Sequence, residues 1–90
     1  MFNLIHVGNN NFINRDRILA VGRPTIACMQ RAVNTAKKEG LLIDFTGNMP
    51  IMGIILMDNG TVVRIALRPK EIAVREPEDT RLVSDRVTPL

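Results

Sequence analysis

The stretch from Gly53 to Leu67, GIILMDNGTVVRIAL, constrains the fold of this 90-residue chain more than any other segment. Asn59-Gly60 is a strong hairpin signal, because both residues tolerate the positive φ angles of a type I′ turn. A two-residue loop of this kind predicts that Met57 pairs with Val62. Side chains alternate between the two faces of a strand, so each face collects every second residue. One predicted face carries Ile54, Leu56, Val63, Ile65 and Leu67, and the other carries Ile55, Met57, Val62 and Ala66, with Arg64 among them.

Both faces of this predicted hairpin are apolar, and a single long helix can cover only one of them. Leaving Ile55, Met57 and Val62 in water would forgo about 5–9 kcal/mol of hydrophobic burial. A typical domain is stable by only about 5–15 kcal/mol in total. A short C-terminal helix could cover part of this surface, but we expect a second copy of the chain to cover most of it. The sequence therefore predicts a homo-oligomer with these three residues in its interface.

The apolar pattern along the rest of the chain predicts one α+β domain over residues 1–75, with a mostly antiparallel sheet. Further strands are expected at 2–7, 12–13, 18–21 and 41–43. A central helix over 25–39 lies on one face of the sheet, because its apolar residues recur at three- and four-residue spacing. Pro69 opens a short last helix that ends at Arg75. Residues 76–90 are predicted to form a polar, disordered tail.

Charge separates a basic body from an acidic tail. Residues 1–75 contain ten Lys or Arg and five acidic residues, and residues 76–90 contain two Arg and four acidic residues, so that +5 and −2 give the net +3. A basic body indicates a polyanionic partner, although basic surfaces also simply keep proteins soluble. The apolar runs are too short to span a bilayer, and no signal-peptide pattern begins the chain. We therefore expect a cytoplasmic protein without a membrane partner.

The residues that most often perform chemistry are few and isolated. His6 lies in an apolar strand, and Cys28 lies on the central helix without a nearby histidine, so we expect a structural histidine and a small buried cysteine. Asp44 ends a strand and is expected to accept hydrogen bonds from loop amides. No phosphate-binding loop, zinc motif or calcium loop is present. The sequence predicts no enzyme, no metal, no cofactor and no small-molecule substrate.

Arg15 and Arg17 give a stronger signal for binding. In an extended segment, residues two apart point to the same side, so the two guanidinium groups would lie together beside the turn at 9–11. Guanidinium groups at this spacing can grip phosphates, and the Asn11 amide can add a hydrogen bond. The alternative is that both are solvated arginines on a loop.

The order of several short motifs resembles the bacterial RemA family of regulators of extracellular-matrix genes. The resemblance covers about residues 4–75, and its most specific part is GLLIDFTG followed by the apolar hairpin with Met57-Asp58. The matching residues are Ile5-His6-Val7-Gly8, Asn11, Asp16-Arg17-Ile18, Pro24, Arg31, Gly40-Leu41-Leu42-Ile43-Asp44 and Met57-Asp58.

The resemblance implies a ring of several subunits that presents basic surfaces to double-stranded DNA and regulates transcription of biofilm-matrix genes. Arg17 matches an arginine that is associated with DNA binding in the family. The family also has an adjacent arginine pair and a third arginine in the loop before the hairpin. Those positions are Met49, Pro50 and Met52 here, and we expect Arg15 and Arg23 to compensate in part.

Two hypotheses therefore remain at the level of the sequence. The first is a ring-forming DNA-binding regulator that contacts duplex phosphates through repeated arginines and recognises DNA by its backbone and shape. The second is a structural or protein-binding oligomer that has lost DNA binding together with the loop arginines. The two differ in whether the assembled protein binds duplex DNA at low salt.

Overall fold

The computed structural model describes residues 3–75, and it confirms an α+β fold built mainly from antiparallel strands. Strands β1 and β2 form a separate two-stranded antiparallel sheet. The main sheet has the order β3-β5-β6-β4, with antiparallel β3–β5 and β5–β6 pairs and a parallel β4–β6 pair. The predicted tail at 76–90 lies outside the described residues. The elements are β1 (Leu4–His6), β2 (Phe12–Asn14), a 3₁₀ turn (Arg15–Arg17), β3 (Ile18–Gly22), α1 (Ala27–Glu39), β4 (Leu42–Asp44), β5 (Gly53–Met57), β6 (Val62–Ile65) and α2 (Pro69–Ala73).

Helix α1 lies on one face of the main sheet, as the apolar spacing predicts, but it begins two residues later than expected. It ends at Glu39 and is capped by Gly40, whose φ of 73° is the left-handed conformation that glycine adopts most easily. The side chains of Met29 and Ala36 are buried between the helix and the sheet, whereas Ile26, which precedes the helix, is 45% exposed. Cys28 is exposed, so the prediction of a buried cysteine was wrong. It lies one position from the buried Met29, which turns its side chain by about 100° around the helix axis.

The turn of the β5–β6 hairpin differs from the predicted type I′ turn. The Gly60 amide donates to the Met57 carbonyl (3.2 Å), and the Met57 amide donates to the Thr61 carbonyl (2.9 Å). Gly60 has a φ of 90°, whereas Asn59 does not have a positive φ. This is a three-residue loop in which a left-handed glycine follows an ordinary turn. The predicted pairing was therefore wrong by one residue, because Leu56, not Met57, pairs with Val62.

The one-residue shift exchanges the faces on which the β6 side chains lie. On the α1 face, Ile54 and Val62 form a cluster with Met29 and Ala36. On the opposite face lies a second buried cluster, the second cluster, which consists of Ile5, Val7, Ile13, Ile55, Val63, Ile65 and Ile72. The β1–β2 hairpin, with Val7 in its connecting segment, and helix α2 supply four of these seven residues, so the same chain covers its own second face.

This arrangement removes the reason for assigning the predicted interface residues to contacts with a second chain. Ile55 is 0% exposed and Val62 is 4% exposed within one chain, so neither offers surface to a partner. The two residues also lie on opposite faces, since the pairing is shifted. Met57 alone of the three is half-buried, at the edge of the second cluster. Among residues 3–75, no helix is long and apolar enough to cross a membrane.

Candidate nucleic-acid interface

Arg17 is the most clearly presented of the predicted DNA-binding residues. Its guanidinium Nη1 lies 3.0 Å from the Asp58 carboxylate, and the side chain remains 65% exposed. The Asp58 amide donates to the Arg17 carbonyl at 2.8 Å, which ties the 3₁₀ turn to the β5–β6 turn. Two connections therefore hold Arg17 in place, and its remaining N–H donors face solvent.

Arg15 does not lie beside Arg17 as predicted, because the segment is a 3₁₀ turn and not a strand. In a 3₁₀ helix with three residues per turn, residues two apart point about 120° away from each other. The Asn14 side chain caps this turn by accepting from the Asp16 amide at 2.9 Å. The Asn3 amide group donates to the Asp16 carboxylate, which holds Asp16 between the two arginines. Arg15 lies instead in a shallow depression beside Ile18, Val21, Ile72 and Ala73, next to α2.

Asn11 lies at the base of the β1–β2 turn, and its main chain closes this hairpin. Its carbonyl accepts from the Val7 amide at 2.9 Å, and its own amide donates to Gly8 at 3.0 Å. Asn9 and Asn10 have positive φ angles of 53° and 64°, as expected for asparagine in a tight turn. The Asn9 side chain also donates to the Phe45 carbonyl at 2.7 Å, which fixes the turn against the loop after β4.

His6 has the structural role that was expected. Its Nε2 accepts from the Asn10 amide at 3.2 Å, and its ring packs at 5.2 Å, tilted, against Phe12. Within residues 3–75, no three His, Cys, Asp or Glu side chains group closely enough to hold a metal ion. His6 therefore supports the hairpin turn that carries the asparagines.

Arg23 lies at a third place, in a cavity of about 640 Å³ between the start of α1 and the start of α2. The same cavity brings in Arg68 and Lys70, which sequence reasoning missed. The only signal for them was the Arg-Pro-Lys run at the start of the last helix, and nothing in the sequence places that run beside Arg23. The remaining lining consists of Val21, Gly22, Pro24, Thr25, Ile26, Ile51, Met52 and Pro69.

The loop between β4 and β5 contributes no positive charge, in agreement with the departure noted in the sequence. Met49 is 57% exposed, and Pro50 is exposed beside it. The Met52 amide donates to the Ile65 carbonyl at 2.9 Å, so the end of the loop extends the β5–β6 pairing. The apolar side chain of Met52 then lines the same cavity as Arg23.

Asp44 closes the loop after β4, as predicted. Its carboxylate accepts from the Thr46 hydroxyl and from the Thr46 amide, the latter at 2.8 Å. These hydrogen bonds, with the Arg64 cation 3.1 Å away, hold the pKa of the Asp44 carboxyl below its ordinary 3.8 although partial burial opposes them. Thr46 itself is 3% exposed. This arrangement is structural, because the Asp44 carboxylate is occupied by Thr46 in its own loop and by Arg64 on β6.

A groove of about 530 Å³ lies between β2, β4 and the β5–β6 turn, and Arg17 lies at its rim with Asp58. Its apolar lining includes Phe12 and Ile43, which are 42% and 40% exposed, together with Phe45 and Met57. Strand β4 is an edge strand of the main sheet, so one side of its backbone has no neighbour among the described strands. An exposed edge next to apolar side chains is a surface at which chains commonly pair.

Comparisons with known proteins agree on one family. Residues 4–75 match the family model described as RemA-like: Extracellular matrix regulatory protein A-like. A relative from Thermosipho melanesiensis is 39% identical over 75 residues, which cover 83% of this chain and 80% of the relative. A relative from Lachnoclostridium phytofermentans is 33% identical over 87 residues, which cover 97% of this chain and 96% of the relative. Both are named "Putative regulatory protein".

A third relative, from Synechococcus elongatus, is 35% identical over 72 residues that cover 80% of this chain and 83% of the relative, and its name also describes a regulatory protein. The match covers nearly all of the described residues, and it assigns the chain first to a class of regulatory proteins. The chain belongs to the RemA-like family.

Proposed function

We propose that this protein is a homo-oligomeric, cytoplasmic regulator of transcription that binds the phosphates of double-stranded DNA through repeated arginines. The observation that supports it most directly is Arg17, an exposed guanidinium held in position by Asp58 and by a backbone hydrogen bond. Membership in the RemA-like family adds the regulatory role. Genes for extracellular matrix are the targets that the family description suggests, and biofilm-matrix genes are the narrower targets that we propose from the resemblance.

Repetition is necessary because one subunit offers few phosphate contacts. The described cations at the proposed surface lie at three places, around Arg17, Arg15 and Arg23, with Asn11 as an additional donor near the first turn. Linking several such subunits makes the later contacts intramolecular, which raises the affinity without new contacts. A ring of this kind would recognise the DNA backbone and its shape, since the proposed contacts are guanidinium groups and an amide at turns and loops and not on a helix that enters a groove.

The surface that we propose for assembly is the groove beside the edge strand β4. It replaces the interface expected from sequence, because Ile55 and Val62 are buried within one subunit and only Met57 reaches this groove. Burying Phe12 and Ile43 against a second subunit would remove exposed apolar surface and pair the open edge of β4. Arg17 at the rim of the groove would then repeat once per subunit around the assembly.

The test is duplex binding measured by fluorescence anisotropy across a salt series, with the oligomeric state checked by light scattering in the same buffer. Arg17→Ala should weaken binding by at least about tenfold and lower the salt slope by about 0.9 for each lost phosphate contact. Arg31→Ala removes the same charge from the exposed side of α1, away from the proposed contacts, and is the matched control. Unchanged binding by Arg17→Ala in an intact assembly would contradict the proposed contact.

A second variant tests the same contact in the opposite direction. Asp58→Asn removes the negative charge beside Arg17 but keeps a side-chain oxygen that can accept from its guanidinium and hold it in position, so duplex binding should become tighter. A protein that assembles but binds no duplex at low salt, in any of these variants, would instead support the protein-binding alternative.

A further inference from the structure

The cavity at the start of the two helices combines a mostly apolar lining with three cationic side chains. Its volume of about 640 Å³ lies within the range of about 300–1,000 Å³ that is typical of small-molecule sites. Most of its lining is apolar, and Ile26, Ile51 and Met52 contribute to it. Ile26 is 45% exposed although it directly precedes a well-packed helix. An apolar side chain left open in this way fits an apolar occupant.

Three cations also lie in the lining of this cavity, namely Arg23, Arg68 and Lys70. None of them forms an ion pair with an acidic residue in the part of the chain from 3 to 75, where the two ion pairs are Arg17–Asp58 and Arg64–Asp44. All three are exposed, so they can turn toward an incoming group. Unpaired cations at an apolar cavity complement an anion with an apolar body.

We propose that this cavity binds a small-molecule effector with an anionic head, a carboxylate or a phosphate, and an apolar body. The head would contact the guanidinium groups of Arg23 and Arg68 and the ammonium group of Lys70. The body would lie against Ile26, Ile51 and Met52. Duplex DNA fits the cavity less well, since its backbone offers only short deoxyribose segments between charged phosphates and no extended apolar body to fill this lining.

Ligand binding here has one consequence for regulation. Arg23 is also among the residues proposed to contact DNA, so a bound anion would neutralise part of that surface and weaken duplex binding. This consequence rests on the proposed function, whereas binding of the effector does not. The two are therefore measured separately.

Isothermal titration of the full chain with three probes tests the site without DNA. Decanoate carries both features, decan-1-ol only the apolar body, and inorganic phosphate only the charge. Decanoate should bind more tightly than either of the others, because only it uses both parts of the lining. Equal binding of decan-1-ol, or equal binding of phosphate, would overturn the proposal by showing that one feature is irrelevant.

Paired charge variants locate the site. Arg68→Gln with Lys70→Gln should weaken decanoate binding by at least about tenfold, because two charge-assisted contacts are lost. Arg31→Gln with Lys38→Gln removes the same charge from exposed positions on α1 outside the cavity and should leave binding within about twofold. Equal losses in the two pairs would mean that decanoate responds only to net charge, which would overturn the proposal.

Methyl NMR of protein labelled at methionine provides a readout that does not depend on variants. Decanoate should shift the Met52 methyl signal, which lies in the cavity, and leave the signal of Met57, which packs in the opposite cluster, unchanged. A Met52 signal that ignores decanoate but changes with protein concentration would overturn the proposal, because a second copy of the chain would then occupy the cavity. Loss of duplex affinity on adding decanoate would establish the regulatory consequence, and unchanged affinity would refute that consequence alone.

Discussion

The two faces of the main sheet are buried by different means. One face is covered by α1, a 13-residue helix whose Met29 and Ala36 pack on Ile54 and Val62. The other face is covered by pieces from both ends of the domain, the β1–β2 hairpin and the five-residue helix α2. A helix that covers a sheet can be predicted from the local spacing of its apolar residues. A covering layer built from short segments that are distant in the sequence has no such local pattern. The second face therefore resembled a subunit interface when only the sequence was considered.

The difference also explains where the proposed binding residues lie. Arg17 ends the 3₁₀ turn between the β1–β2 hairpin and β3, and Arg23 lies between β3 and α1, so each stands where the chain passes between a covering element and the sheet. Arg68 and Lys70 lie at the start of α2, which covers the second face. Positions of this kind are fixed by the packing beneath them and remain open to solvent.

The largest expected effect is that of Ile55→Ala in the second cluster. Ile55 is 0% exposed in this cluster, so the variant should lose about 2–5 kcal/mol of unfolding free energy. Urea unfolding followed by circular dichroism measures this loss. Leu19→Ala is the control, because Leu19 is 70% exposed and should change stability by no more than about 0.5 kcal/mol.

Repeating this measurement at different protein concentrations shows whether Ile55 is buried by its own chain or by a second subunit. If the chain covers its own second face, the difference between wild type and Ile55→Ala should be the same at low and high concentration. A loss that grows with concentration would restore the subunit interface expected from sequence, since association would then supply the burial.

Glycines on the two faces provide a second, smaller comparison. A Cβ at Gly53 would lie 2.5 Å from the Leu67 backbone carbonyl, which cannot move without shifting the strand. A Cβ at Gly22 would lie 2.5 Å from the methyl end of Met29, which is flexible. Gly53→Ala should therefore cost about 1–3 kcal/mol by overpacking, and Gly22→Ala clearly less. Thermal unfolding of both variants measures the difference, and equal costs would mean that Met29 is as rigid as the backbone.

Much of the fold could be predicted because its signals are local. The apolar spacing of α1, the helix end at Gly40 and the turn at Asn9-Asn10 were all confirmed. The predicted register between β5 and β6 was wrong because Asn59-Gly60 is compatible with two loops, one of two residues and one of three. Only packing selects between them: the three-residue turn places Val63 and Ile65 on the hairpin side and Val62 on the α1 side.

The candidate site was less predictable for a similar reason. Arg17 could be identified from its motif, but its ion pair joins residues 41 positions apart. The separation of Arg15 from Arg17 depends on a three-residue 3₁₀ turn that Asn14 caps, and alternation alone suggested a strand there. The proximity of Arg23 to Arg68 and Lys70 depends on the packing of both helices. The assignment of these residues to DNA binding remains a prediction.

The smallest expected effect lies at the edge strand β4, where Asp44 connects the loop after β4 to Arg64 on the α1 side of the sheet. Its carboxyl has a lower pKa folded than unfolded, chiefly because the Thr46 hydroxyl and amide donate to it. The folded state therefore binds fewer protons, so the stabilisation is complete well above pH 3.8 and is lost as the pH falls through the folded pKa.

Asp44→Asn should accordingly reduce the loss of stability between about pH 7 and about pH 3, compared with the wild type, since the titrating group is absent. The change should be below about 1 kcal/mol, because the Asp44 side chain is 39% exposed and solvent screens its interactions. Thr46→Val keeps the shape of the buried side chain but removes the hydroxyl donor, so it should reduce the same pH dependence in part. Urea unfolding at the two pH values measures both variants. An undiminished pH dependence in Asp44→Asn would place the acid sensitivity elsewhere and leave Asp44 as a loop cap of little energetic weight.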